Sequence, residues 1–279
     1  MLTQKTLGFI GAGNLAEAII KGLLASKAAV ASRIVVSDKI SERLVLMAET
    51  YEVKVCNKNF EVAKNADIIF ITVKPNDVQG TLSEIAAELT KDKLLISAAA
   101  GITTGFIEDT LRASGLKSPY VPVIRAMPNT PVIVREGATA LFAGEGAKAF
   151  GMKFAKAVFS AVGKVIIVED EALMDAVTGL SGSGPAYIFL IMQAMAQAGV
   201  QNGLTEDDAK LLAIQTTLGS AKLALDGNKP LTELIRMVAS PGGTTIEGLK
   251  KLEESGTAKA IISAITAAVK RADELKRAR

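Results

Sequence analysis

The chain has 279 residues, 49% of them hydrophobic and 22% charged, enough for two ordinary globular domains or one large one. A net charge of +3 with no Trp and three Tyr argues against nucleic-acid binding, because base-stacking platforms are scarce. One Cys excludes an intrachain disulfide and a Cys-cluster metal site, and the absence of His removes the commonest proton shuttle and transition-metal ligand. Any proton transfer must use a hydroxyl, a carboxylate, a lysine or water, and no metal site is expected.

The first apolar run, Leu7 to Ile10, enters the turn Gly11-Ala12-Gly13-Asn14-Leu15-Ala16, which opens into an Ala/Ile/Leu-rich helix. That strand–turn–helix context gives the Gly-x-Gly-x-x-Ala spacing its meaning. Gly11 permits the tight turn, Gly13 lets backbone approach a pyrophosphate, and Ala16 lets helix sit close on strand. The helix N-terminus offers N–H groups to the phosphates. A tight turn in another α/β protein, such as a methyl-donor site, is the alternative.

Ile34 to Val36 forms the second run, with Asp38 at its end, 22 residues after Ala16. An acid there accepts hydrogen bonds from the adenosine ribose and repels a 2′-phosphate. Ser37, Lys39 and Arg43 beside it could instead pair with that phosphate, so NAD(H) and NADP(H) both stay open. Asp38 could also simply cap the helix that begins at Ser41-Glu42. Further runs at Ile68 to Val73 and Leu94 to Ser97 are continuous rather than alternating, as parallel strands covered on both faces should be. Thr72-Val73-Lys74-Pro75 closes the first of them at the carboxyl edge where ligands bind. Ala98-Ala99-Ala100-Gly101 ends the next in small residues that admit a flat ring. Ala138 to Ala143 and Val165 to Val168 extend the sheet at its edge.

Beyond Glu169 the strand signals stop. Thr205-x-x-Asp208 resembles a capping box, and Ile261, Ile262, Ile265, Ala268, Val269, Ala272 and Leu275 form one stripe of a last helix. The basic tail Lys270, Arg271, Lys276, Arg277 and Arg279 reads as a solvated helix end. The fold class is therefore α/β: a doubly wound, dinucleotide-binding Rossmann domain over 1–165, then an all-α domain over 166–279. The longest apolar stretch, Ala186 to Val200, carries two Gln and is short for a bilayer span, and no leader pattern precedes the first strand, so a cytoplasmic location is expected.

Two stretches of the helical half break helix rules: Gly179 to Pro185, with three glycines and a proline, and Ser240-Pro241-Gly242-Gly243-Thr244-Thr245. Each interior Gly costs about 1 kcal/mol relative to Ala, and Pro about 3. Such violations are more often functional than ordinary loops are. A Gly-Gly turn entering a helix makes a backbone nest suited to a carboxylate, with Ser and Thr hydroxyls alongside.

Taken together, GFIGAGNLAEAIIKGL (8–23), TVKP (72–75), SAAAG (97–101), RAMPNTPVIVREGAT (125–139), DAVTGLSGSGPAY (175–187) and SPGGTTIEGL (240–249) resemble the pyrroline-5-carboxylate reductases. The last two segments are the specific ones. The resemblance implies reduction of the ring imine of 1-pyrroline-5-carboxylate to L-proline by NAD(P)H, with NADP(H) favoured by the family and NAD(H) kept open by Asp38. It implies a helical dimerisation domain, interlocked homodimers and rings of dimers, with small-molecule substrate and product and no nucleic acid or membrane partner. Carried onto this sequence, Gly11, Ala12, Gly13, Asn14, Leu15 and Ala16 hold the pyrophosphate, and Ser37, Asp38, Lys39 and Asn59 lie by the adenosine ribose. Thr72, Val73, Lys74, Pro75, Ala98, Ala99 and Ala100 line the nicotinamide side. Ser240, Gly243, Thr244 and Thr245 resemble the loop that binds the substrate carboxylate and ring nitrogen, with Thr245 and Ser240 catalytic, and Glu171 resembles an acid near the substrate amine.

Two other readings compete. Another imine or hydroxyacid reductase of the same plan would want a catalytic lysine on a helix of the second domain, for which Lys210 and Lys222 are the candidates. A non-catalytic dinucleotide sensor would have no reason to keep both glycine-rich turns.

Overall fold

The computed structural model describes residues 2–147, 150–227 and 229–277, without the side chain of Phe150; Arg279 of the basic tail lies outside them. The chain divides into two compact units, Met1–Gly182 with Ala268–Arg279, and Ser183–Ala267.

The first unit contains the sheet. Its strands are β1 (Leu7–Ile10), β2 (Ile34–Ser37), β3 (Lys54–Cys56), β4 (Ile68–Ile71), β5 (Leu94–Ser97), β6 (Val123–Met127), β7 (Gly137–Ala143) and β8 (Gly163–Ile167). Helices α1 (Asn14–Ala25), α2 (Ser41–Tyr51), α3 (Asn59–Asn65), α4 (Val78–Ile85), α5 (Thr104–Ala113), α6 (Phe150–Ser160) and the short α7 (Leu173–Val177) connect and follow them. The spatial order is β3-β2-β1-β4-β5-β6-β7-β8, with β1 to β6 parallel, β7 antiparallel to β6 and β8 parallel to β7. Strand order therefore reverses between β1 and β4, the topological switch point at which doubly wound sheets bind ligands.

Two runs are strands that the sequence reading did not assign, β3 and β6. Conversely, the expected run Ile68 to Val73 leaves the sheet after Ile71. Alternation within the buried strands builds two cores. Leu7 and Phe9 of β1 join Phe70, Ile19, Leu23 and Phe159 on one face, and Ile10 joins Ile69, Ile71, Leu82, Ile107 and Leu111 on the other. Phe9 and Phe70 stack across β1 and β4 with centroids 4.5 Å apart.

The second unit holds α8 (Gly184–Gln201), α9 (Glu206–Asp226), α10 (Leu231–Val238), α11 (Thr244–Glu254) and the first half of α12 (Thr257–Arg277). Helices α8 and α9 form a hairpin. Gly203 at φ +97° ends α8, with Leu204 N–H donating to Gly199 and Gly203 N–H to Val200, a Schellman closure. Thr205 then caps α9 by accepting from Asp208 N at 3.2 Å, as the capping-box reading expects. Among the described residues, this unit buries only Ala209 and Ala213 of its apolar side chains, while Phe189, Leu190, Leu211, Leu225 and Leu231 are each more than 60% exposed. The expected stripe of α12 is likewise bare at Ile261 and Ile262. Among the described residues, no helix is long and apolar enough to cross a membrane.

Gly179 to Pro185 does not break the helical path. After α7 the backbone widens into a π-helical turn, Thr178–Gly182, and α8 starts with Pro185 in its first turn, where the missing N–H costs nothing. The basic tail is more than a solvated end: Lys276 donates to Asp175 at 2.5 Å, and Asp175 is buried on α7. That contact, more than the one to Asp273, holds the Lys276 ammonium above its ordinary value. Lys276→Met leaves Asp175 without its cation and should cost about 2–3 kcal/mol of stability, measured by denaturant unfolding.

Candidate active site

The carboxyl ends of β1 and β4 meet at the glycine turn. Gly11 has φ +98°, and a Cβ there would lie 2.8 Å from the carbonyl carbon of Thr72 and 2.9 Å from its oxygen, so only glycine fits. Thr72 closes the same contact from its side, its hydroxyl donating to the Gly11 carbonyl at 2.8 Å. Gly13 is different: a Cβ there would meet nothing within 4 Å. The space in front of it is the open approach that a pyrophosphate requires at the start of α1.

Ala12 is held at both of its backbone polar groups. Its N–H donates to Asp38 Oδ2 at 2.5 Å, and its carbonyl accepts from Arg43 Nε at 2.7 Å. Asp38 Oδ1 accepts from Ile40 N at 2.9 Å, so both carboxylate oxygens hold backbone. Of the two expectations for Asp38, these bonds meet the local one, a role at the entry to α2. It turns the chain into α2, whose own cap residue is Ile40, and it braces the turn that faces the cofactor. Arg43 is equally committed, because its Nη2 donates to Glu17 at 2.6 Å. Tyr51 donates to the other Glu17 oxygen at 3.0 Å. Against burial, which opposes it, the Arg43 hydrogen bond holds the Glu17 carboxyl below its ordinary value.

Two cavities open on either side of the N-terminus of α1, and Asn14 lines both. The larger, about 530 Å3, is bounded by Gly11, Gly13, Asp38, Lys39, Asn59 and Thr72 to Lys74, among others. The smaller, about 260 Å3, is bounded by Leu15, Ala98, Ala100, Met127 to Thr130 and Gly182, among others. Their sizes suit an adenosine half and a nicotinamide half of one dinucleotide, and the turn between them suits its pyrophosphate.

Most of the sequence-assigned cofactor set lies here, with informative exceptions. Ser37 is buried, and its hydroxyl donates to Asn59 Oδ1 at 2.8 Å, so it acts on the cavity only through Asn59. Ala12 and Ala16 are fully buried packing residues, and Ala99 belongs to the core beneath the smaller cavity. Pro75 starts the short turn Pro75–Asp77 beyond β4. Lys39 is exposed and pairs with Asp77 at 3.1 Å. Glu171 accepts from Thr104 N at 2.8 Å, Thr104 Oγ1 at 2.9 Å and Arg125 Nη1 at 3.1 Å.

Sequence reasoning did not assign Ile40, Asn76, Gly80 and Thr81 to the larger cavity, nor Met127, Pro128, Asn129 and Gly182 to the smaller one. The Pro-Asn pair closing the β6 run was the signal available for the latter group.

In the helical unit, Ser240 and Gly243 lie in the turn between α10 and α11, and Thr244 and Thr245 open α11. Gly243 N–H donates to the Ser240 carbonyl at 3.0 Å, and Gly242 takes φ +70°. Ser240 is exposed, and Thr245 is half-buried in the first turn of α11. Lys210 and Lys222 are both exposed on α9. Among the described residues, no cluster of His, Cys, Asp and Glu has metal-binding geometry.

Residues 171–275 match the pyrroline-5-carboxylate reductase dimerisation family, and residues 6–101 match the family of NADP oxidoreductases, coenzyme F420-dependent. The pyrroline-5-carboxylate reductase of Pseudomonas aeruginosa is 39% identical over 274 residues, 98% of each chain. This chain belongs to the pyrroline-5-carboxylate reductase family. The reductase of Arabidopsis thaliana is 41% identical over 96% of this chain and 95% of its own. The Coxiella burnetii reductase structure superimposes with a TM-score of 0.90 at 41% identity, covering 97% of this chain and 98% of that one. The Plasmodium falciparum reductase with NADP bound gives 0.86 at 27% identity, covering 99% and 100%.

Two glycines of this reductase-family turn should separate stability from binding. Gly11→Ala should lose about 2–4 kcal/mol of stability through strain and overlap with Thr72. Gly13→Ala should unfold like the wild type yet bind dinucleotide at least about tenfold more weakly, its methyl group standing where phosphate must approach. Unfolding curves and cofactor titrations check both. Glu17 gives a pH prediction. Its folded-state value is depressed, so its contribution is present above the unfolded value and lost as pH falls through the folded one. Glu17→Gln should cost about 1 kcal/mol at neutral pH, and the gap to wild type should close below about pH 4.

Proposed function

We propose that this protein reduces the ring imine of 1-pyrroline-5-carboxylate to L-proline, using NADPH, as the last step of proline formation. The observation that carries this reading is a reductase-family match running through both the dinucleotide-binding half and the helical half. Residues of this chain fit the cofactor, with an open approach at Gly13 and a cavity on each side of α1. Bound NADPH supplies the hydride.

Gly11 to Ala16 present backbone to the pyrophosphate, with Gly13 and Asn14 in front and Ala12 and Ala16 holding the turn from behind. Asn59, braced by Ser37, and Lys39 take the adenosine ribose. Asp38 is the residue that would disfavour a 2′-phosphate, yet both its oxygens already accept backbone N–H groups. Lys39 and Arg43 line the same cavity and bring positive charge, which supports NADP(H). Thr72 to Lys74 edge that cavity, with Pro75 opening the turn beyond it, and Ala98 and Ala100 give the nicotinamide ring a flat wall of small side chains.

Ser240, Gly243, Thr244 and Thr245 bind the substrate, the Gly-Gly turn offering N–H groups to its carboxylate. Thr245 hydrogen-bonds the ring nitrogen, and Ser240 supports it. A ring imine can arrive already protonated, so the work left to the protein is to align the imine carbon with the hydride and hold the nitrogen. No histidine is needed for that.

The helical domain, taken from position 166 onward, is the dimerisation and substrate domain. Its bare apolar helices support an interlocked homodimer, with rings of dimers as the larger assembly, working in the cytoplasm. Parallel initial rates with NADPH and NADH and DL-1-pyrroline-5-carboxylate test the reaction, with turnover and a preference for NADPH expected. Failure with both, from folded protein, would move the assignment to another imine or hydroxyacid. Thr245→Ala should lower kcat/KM about 10- to 1000-fold, the range for one positioned donor.

A further inference from the structure

We propose that Glu171 is a positioning residue for hydride transfer, fixing the walls of the nicotinamide cavity through Thr104 and Arg125. This rests on the reductase reading above and assigns its acid a different task from contact with the substrate amine.

Glu171 precedes α7, and its two oxygens face protein groups. Oε1 accepts from the Thr104 backbone N–H at 2.8 Å and from Arg125 Nη1 at 3.1 Å, and Oε2 accepts from the Thr104 hydroxyl at 2.9 Å. Each partner leads to a wall of the smaller cavity. Thr104 begins α5, directly after the segment that carries Ala98 and Ala100. Arg125 lies two residues before Met127 on β6. From Glu171 itself, the chain runs through α7 and the π-helical turn to Gly182, where a Cβ would fall 2.8 Å from Met127 Cε. One carboxylate thus ties together three segments, far apart in sequence, each of which also carries residues that line the cavity.

Arg125 is only 2% exposed, and its Nη2 has no hydrogen-bond partner among the described residues. A buried ion pair is weak evidence for stability, because desolvation offsets the attraction. A guanidinium left partly unsatisfied is weaker evidence still. Its value here is geometric: the charge fixes where Glu171 sits, and Glu171 fixes where α5 begins. Hydride transfer is steeply sensitive to such placement, since a misplacement of about 1 Å can cost about 100-fold in rate.

The test compares Glu171→Gln, Arg125→Met, the double variant and Thr104→Val with wild type, all full-length. The readouts are kcat, KM for 1-pyrroline-5-carboxylate, the pH profile of kcat/KM and the fluorescence of bound NADPH. Glu171→Gln and Arg125→Met should each lower kcat about 10- to 100-fold with KM for the imine unchanged. The double variant should be no worse than the poorer single one, the shape of the pH profile should stay that of wild type, and the emission of bound NADPH should shift. Glu171→Gln that raises KM for the imine at unchanged kcat, or loses one limb of the pH profile while Arg125→Met keeps it, would show direct action on substrate and overturn the proposal. Should the ion-pair variants not fold, Thr104→Val keeps the pair and loses one hydroxyl, and wild-type kcat in that variant would also overturn it. A wild-type protein without turnover refutes the reductase reading alone. In that case bound-NADPH emission still decides, and an unchanged spectrum in Glu171→Gln refutes the positioning role.

Discussion

The glycine turn at the head of α1 depends on how one residue is held. Ala12 donates to Asp38 and accepts from Arg43, so a carboxylate and a guanidinium grip opposite ends of the same residue. Both bonds are charge-assisted and therefore stronger than ordinary backbone ones. Their effect is to fix the turn so that Gly11 lies on Thr72 while Gly13 stays open. Glu17, one turn into α1, then holds Arg43 from the other side, so the helix, the strand end of β2 and the phosphate turn form one braced unit. A phosphate site made of backbone N–H groups works only if those groups do not have to reorganise when the anion arrives. The bracing lets a flexible glycine sequence hold one shape.

The helical half obeys the opposite logic. A helix that is apolar on many sides must be covered, and in this unit hardly any apolar side chain is covered by the chain itself. Surface of that kind, spread over α8 to α12, favours association. The small residues along its helices (Ala209 and Ala213 are the buried ones) let backbones approach closely. The rule-breaking stretch Ser240–Thr245 is part of the same half, where it leads from α10 into α11.

Much of this was legible in residue pattern. Continuous apolar runs mark β1, β2, β4 and β5 because parallel strands are buried on both faces, and the glycine spacing marks the phosphate turn because few other sequences allow it. The strands left unassigned have local reasons. β3 has three residues, is half-exposed and lies at the sheet edge, where apolar continuity is not required. β6 carries Arg125 in its centre and is followed at once by Pro128, so charge and breaker hide a buried strand. Pattern also could not say whom a charged side chain serves. Asp38, Arg43 and Ser37 were identified as being near the ribose, but their partners are backbone and side-chain atoms brought in by folding. The three glycines after Val177 read as an interruption, whereas the backbone passes through them as a wider helical turn.

That turn bears on the chemistry. A π-helical turn frees a backbone carbonyl from its usual partner, and here Asn129 donates to Ser181 O at 3.1 Å while its own oxygen accepts from Ala138 N at 2.8 Å. Asn129 thereby joins β7, the end of β6 and the π-helical turn beside the smaller cavity, and Glu171 joins α5 and β6. A chain with no histidine has no ready proton shuttle at neutral pH. A reductase of this composition relies on placement, on walls that neither yield nor reorganise. The density of buried polar ties around a cavity of about 260 Å3 is what that route demands.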